Sequence, residues 1–200
     1  EAFPPLTIRD PEPAGEKRFI VKRKDAPNLM TIAFKTPEVG HPRLFALDIA
    51  EGVLNGRSGR LYKRLVEEEI LAVSVRAANS PNKYVSEFSI SVQLRPDASL
   101  EKAEKIIWEE LERLKNEPVS LREFQKVKNN SYASIVRSLR DMENVATMLA
   151  WYEIFGDYKI FLSWAEKLDS VSVENVQEAA KETFKKELSV NGILLGTQGE

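Results

Sequence analysis

The chain has no cysteine and a single histidine, His41, among its 200 residues. Disulfides, thiolate zinc sites and cysteine nucleophiles are thereby excluded. A lone histidine also leaves any Ser-His-Asp arrangement without support, and no Gly-x-Ser-x-Gly elbow occurs. An excess of charge of one sign is lacking too: 29 Lys and Arg stand against 31 Asp and Glu, a net charge of -2. Such a balance removes the electrostatic case for nucleic acid as a partner. Uninterrupted apolar runs reach only a few residues, far below the ~20 needed to cross a bilayer, so no membrane span is expected.

What is present is the content of a folded domain: 42% hydrophobic and 8% aromatic residues, enough to fill one substantial core. Residues 1–17 differ from the rest. Pro4, Pro5, Pro11, Pro13 and Gly15 lie there among charged residues and favour extended backbone, so 1–17 reads as a Pro-rich linker and 18–200 as a single domain. A chain opening inside a linker, without an initiator Met, reads as a piece of something longer.

Phe19 to Lys24 and Met30 to Lys35 are β-prone runs separated by Asp25-Ala26-Pro27-Asn28, which suggests a hairpin-like pair. Pro42 to Leu54 is too densely apolar for a clean stripe and reads as a largely buried helix, ended by Gly56-Arg57-Ser58-Gly59. A second helix from about Ser58 to Glu69 places Leu61 and Leu65 on one face. Leu71, Val73, Val75 and Ala77 alternate, as do Phe88, Ile90, Val92 and Leu94, giving two strands. Ala103, Ile106, Ile107, Leu111 and Leu114 form an amphipathic helix between Ser99 and Pro118, and Ser120-Leu121-Arg122-Glu123 has the form of a capping box. Helices near 141–155, 160–168 and 173–186 and a strand at Val190 to Leu195 complete the order. Paired strands with helices gathered after them predict an α+β fold, an antiparallel or mixed sheet covered by helices.

Leu47 to Leu61, with its Asn55-Gly56-Arg57-Ser58-Gly59-Arg60-Leu61 run, resembles the helix and Gly-rich loop of the pitrilysin and mitochondrial processing peptidase superfamily. Leu65 to Val75, Val119 to Asn129 and Val171 to Phe184 are similar to three further family segments, in the family's order. The resemblance covers roughly residues 18–196. It implies one half of a clam-shell zinc metallopeptidase whose other half carries the inverted zinc motif H-x-x-E-H. His41-Pro42-Arg43-Leu44-Phe45 does not supply that motif, so no metal is expected in this chain and zinc is expected in the partner half.

In active relatives the resemblance implies an Arg and a Tyr, seven apart, that reach the reacting peptide. The matching positions here are Val66 and Val73, and the family glycine between them is Ile70. No catalytic residue is therefore expected, and the chain alone is expected to be inactive. Arg57, Ser58 and Arg60 are the candidate substrate-binding residues, with Arg60 equally placed for an internal ion pair. The implied role is a non-catalytic half that closes a peptide chamber around an extended substrate. The alternative is a silent scaffold subunit resembling the core proteins of the respiratory cytochrome bc complex. The catalytic half lies either upstream in the same chain or on a separate subunit, and self-association is a further expectation.

Other features have plain structural readings. His41 suits a surface or capping role, and Glu67, Glu68 and Glu69 a solvated helix face. Gly52, Gly56 and Gly59 match neither nucleotide-binding spacing. Trp108, Trp151 and Trp164 read as packing residues.

Overall fold

A computed structural model describes residues 14–197. Most of the expected linker, residues 1–13, lies outside the described residues, and Lys17, its last expected residue, already opens the first strand. Five strands run β1 (Lys17–Lys24), β2 (Leu29–Thr36), β3 (Ala72–Ser80), β4 (Ser86–Leu94) and β5 (Ser189–Thr197). They form one sheet in the order β1-β5-β2-β4-β3. Every pairing is antiparallel except β1 with β5, so the sheet is mixed and the fold is α+β.

The expected β1–β2 hairpin is not formed: β5 lies between the two strands. The physical reason is burial. All eight residues of β1 are exposed, whereas β5 carries apolar residues toward both faces and gains more from an interior position. The four-residue connection Asp25 to Asn28 therefore crosses the end of β5. Asp25 takes a left-handed φ of 53°, and the Asp25 N–H donates to Thr197 O at 3.1 Å. Gly196 makes the crossing possible, because a Cβ there would stand 1.9 Å from the Ala26 carbonyl oxygen.

α1 (Pro42–Leu54) is as densely buried as its composition demands, with eight residues in the core. α2 (Arg60–Tyr62) continues directly into a π-helical turn, Lys63–Glu68, where the sequence predicts one regular helix. Leu61 and Leu65 are nevertheless fully buried. α3 (Leu100–Asn116) is capped by Ser99, whose hydroxyl accepts from the Lys102 N–H, and α4 (Leu121–Ser138) carries the expected capping box between Ser120 and Glu123. α5 (Met142–Phe155) follows. The stretch expected at 160–168 is broken at Ser163 into α6 (Lys159–Leu162) and α7 (Trp164–Ser170), and α8 (Val173–Thr183) precedes β5.

The core lies between one sheet face and α1, α3 and α8. Met30, Ile32, Phe34, Phe88, Ile90 and Val92 meet Leu47, Leu54, Ile107, Leu111, Val176 and Phe184. Phe184 stands edge-on to Phe34 and Phe88, with ring centroids 5.3 and 4.9 Å apart, an arrangement favoured by the ring quadrupoles. The opposite face is wetter, and there the exposed hydroxyls of Thr31 and Ser91 meet at 3.0 Å across β2 and β4.

Candidate functional site

The segment from Gly56 to Val73 holds the candidate substrate-binding residues Arg57, Ser58 and Arg60 and the two valines, Val66 and Val73. It opens with a tight turn. Gly56 has φ of +76°, and a Cβ on Gly59 would sit 2.1 Å from the Asn55 carbonyl oxygen, so the chain folds hard against the end of α1. Arg57 and Ser58 are exposed at the tip of this turn. The Ser58 hydroxyl accepts a hydrogen bond from the Lys126 ammonium of α4.

Arg60 behaves differently from its two neighbours. Its side chain is 11% exposed and grips Glu123 at the start of α4, Nε donating to Oε1 at 2.8 Å and a terminal nitrogen to Oε2 at 2.9 Å. Glu123 also accepts from the Ser120 hydroxyl at 2.7 Å, so the ion pair is built into the cap of α4. The Arg60 guanidinium holds the Glu123 carboxyl down to about 2. One turn on, Arg64 fastens the π-helical turn to α3, reaching Glu109 at 2.7 Å and the buried Glu110 at 3.2 Å.

Val66 is half-buried against the core. The chain then ends its helix in a left-handed turn at Ile70, φ 52°, with the Leu71 N–H donating to Leu65 O at 2.9 Å. A glycine suits this place, and a β-branched residue is strained there. Val73 is not the inward strand residue that alternation predicts. It is the extra residue of a β-bulge, skipped between Ala72↔Leu94 and Ser74↔Gln93, and is 53% exposed. Neither valine offers a charge or a hydrogen-bond donor. Arg57 and Ser58 stand at one end of the α2 segment and Ile70 and Val73 at the other.

His41 is the N-cap of α1, its Nδ1 accepting from the Arg43 N–H at 3.1 Å. It lines a recess with the cations Arg43 and Lys167. Among the described residues no group of three or more His, Cys or acidic side chains is placed to hold a metal ion. A zinc ion does not fit: the one imidazole is committed to a cap, and of the two carboxylates that share its recess, Glu178 and Glu182, the second is paired with Arg43.

Sequence reasoning missed a polar network on α1. Asp48 accepts from the Asn79 side-chain amide at 2.7 Å, and Glu51 accepts from the Asn79 backbone N–H at 2.9 Å. The Asn55 side chain pairs with Ala77 as a neighbouring strand would, donating to its carbonyl and accepting from its N–H, each at 2.7 Å. Burial pushes the Asp48 carboxyl up to about 7, opposed by the Asn79 hydrogen bond and helped by nearby Glu51. The Glu51 carboxyl is raised as well, again through burial. Two acids at i, i+3 in a mostly apolar helix, with an Asn at i+7 as its C-cap, are the available signal.

Against known proteins, a family model described as the Peptidase M16 inactive domain matches residues 3–131. Over 188 residues the chain is 27% identical to the zinc protease PqqE of Helicobacter pylori, covering 92% of this chain and 42% of that protein. Over 186 residues it is 26% identical to YmxG, an uncharacterized zinc protease of Bacillus subtilis, covering 92% of this chain and 45% of that protein. The chain thus spans less than half the length of both relatives. The crystal structure of a protease from Helicobacter pylori has the same fold, with a TM-score of 0.91 and 24% identity over 98% of this chain and 47% of that one. Matched over more than half its length by the inactive-domain model, and sharing its α+β architecture with such a protease, the chain belongs to the Peptidase M16 inactive-domain family of zinc proteases.

Proposed function

We propose that this chain is the non-catalytic half of a zinc metalloendopeptidase, closing a peptide-binding chamber and supporting proteolysis by a companion half that bears H-x-x-E-H. The observation that carries the reading is the pair Val66 and Val73. A half that took part in the chemistry would hold a cation and a donor at these positions, and both side chains are hydrocarbon. Zinc and water activation then belong to the companion. Arg57 and Ser58, exposed on a tight turn, are the groups this half offers to an extended peptide. Arg60 serves them from behind, by fixing the turn to α4.

The test is affinity. A companion half whose zinc-motif glutamate has been replaced should bind a labelled peptide about tenfold more tightly once this chain is added, a difference of about 1.4 kcal/mol. Unchanged affinity would remove the chamber role. The same two valines favour a second reading, a scaffold subunit without any catalytic partner. A stable complex with a companion lacking the zinc motif would support that reading against the first.

A further inference from the structure

The two edges of the sheet are finished in opposite ways. At the β3 edge the bulge at Val73 breaks the ladder, while Asn55 and Glu51 take the backbone groups of Ala77 and Asn79. That edge is closed to a further strand over much of its length. At the β1 edge the register runs from Lys17 to Lys24 without a shift, all eight residues are exposed, and proline is absent. Among the described residues nothing pairs with the outward backbone groups of this strand.

Its side chains also have a pattern. Phe19, Ile20 and Val21 are 55%, 55% and 51% exposed. Lys17 and Arg18 flank this apolar centre on one side and Lys22, Arg23 and Lys24 on the other, with no acidic residue in the strand. Arg18 is tied to Glu104 of α3 at 2.8 Å, leaving the positive charge concentrated at the far end. Lysines on an edge ward off pairing with a second copy, because like charges would lie opposite one another. They do not ward off a strand of opposite charge, and although the Phe19 ring lies over Gly192 of β5, Ile20 and Val21 stay more than half exposed beside it.

We infer that the β1 edge receives an extended segment of another polypeptide, apolar at its centre and acidic at its ends, which adds to the sheet as a sixth strand. Backbone hydrogen bonds supply affinity without regard to sequence, and the cations Lys22, Arg23 and Lys24 select for acidic flanks. This surface lies at the opposite edge of the sheet from β3, and the inference does not rest on the proposed chamber.

The experiment uses the full chain and a fluorescent peptide with a Val-Thr-Val centre between pairs of Glu, followed by anisotropy and by amide hydrogen exchange. The acidic peptide should bind and slow exchange across Lys17–Lys24 while leaving β3 unchanged. Raising the salt from about 0.05 M to about 0.5 M, which shortens the Debye length to about 4 Å, should weaken it roughly tenfold. A peptide with Lys in place of Glu should bind at least about tenfold less tightly. The triple variant Lys22→Glu, Arg23→Glu, Lys24→Glu should reverse the preference. Failure of the acidic peptide to bind, protection at β3 instead, equal binding of both peptides, or self-pairing through β1 would each overturn the assignment. The wild-type exchange pattern decides the matter even if the triple variant does not fold.

Discussion

Arg60 and Glu123 are joined by two hydrogen bonds of 2.8 and 2.9 Å, and through them the turn at Gly56–Gly59 is fastened to the first residues of α4. The same carboxylate completes the Ser120 cap, so one side chain serves two elements. A further buried nitrogen of Arg60 has no hydrogen-bond partner, so Glu123 is the anion that the guanidinium grips directly, with Glu110 and Glu117 adding attraction from farther off. Glu123→Ala should cost roughly 2–3 kcal/mol, since it strands a buried cation. With the carboxylate about a third exposed, solvent screening limits the coupling in an Arg60/Glu123 double-mutant cycle to about 1–2 kcal/mol. Because the folded carboxyl sits at about 2, below its ordinary 4.5, the contribution is complete above about pH 4.5 and is lost as pH falls toward 2. Urea denaturation at pH 7 and pH 3 measures both effects.

Asp48 has the opposite sign. Its folded carboxyl titrates at about 7, above the ordinary 3.8, so the folded chain holds a proton that the unfolded chain has released. Stability is fully present below about pH 4 and declines as pH rises through 7. Asp48→Asn should raise stability at pH 8 by on the order of 2 kcal/mol and leave it nearly unchanged at pH 4. Thermal melts of the two proteins across this range provide the comparison, and a gap that is constant with pH would contradict it.

Ile70 occupies a left-handed conformation, φ 52°, with its side chain 55% exposed. Little packing is lost on removing that side chain, and the strain of a β-branched residue is relieved. Ile70→Gly should therefore stabilise the chain by about 0.5–1 kcal/mol despite the greater freedom of glycine when unfolded. Equilibrium denaturation would read the gain as a higher midpoint at unchanged slope.

The crossing of the Asp25 to Asn28 connection over β5 rests on Gly196. Gly196→Ala drives a methyl into the Ala26 carbonyl and should cost on the order of 2 kcal/mol, accompanied by faster hydrogen exchange at β1. Gly56→Ala meets no atom within 4 Å but must hold φ at +76°, and should cost only about 1 kcal/mol.

How much of this was legible in the sequence differs by the range of the interaction involved. Helix starts were readable where a cap is written in consecutive residues, as at Ser99 and Ser120, and the densely apolar Pro42–Leu54 could only be a buried helix. The place of β5 between β1 and β2 was not readable, because pairing joins residues such as Lys17 and Val190 that no local pattern connects. Alternation misplaced Val73, since a bulge shifts the period by one residue without any mark at that residue. At the candidate site, local sequence does not decide between a substrate contact and an ion pair for Arg60, because its partner Glu123 lies 63 positions away. The Asp48 and Asn79 contact was invisible for the same reason.

The central claim, that this half supports proteolysis without taking part in the chemistry, is tested most directly by peptide cleavage with three samples: this chain, its H-x-x-E-H companion, and the two mixed. The account predicts no cleavage by this chain alone and cleavage in the mixture well above that of the companion, abolished by a chelator. Chelator-sensitive cleavage by this chain alone, or a companion equally active without it, would contradict the account.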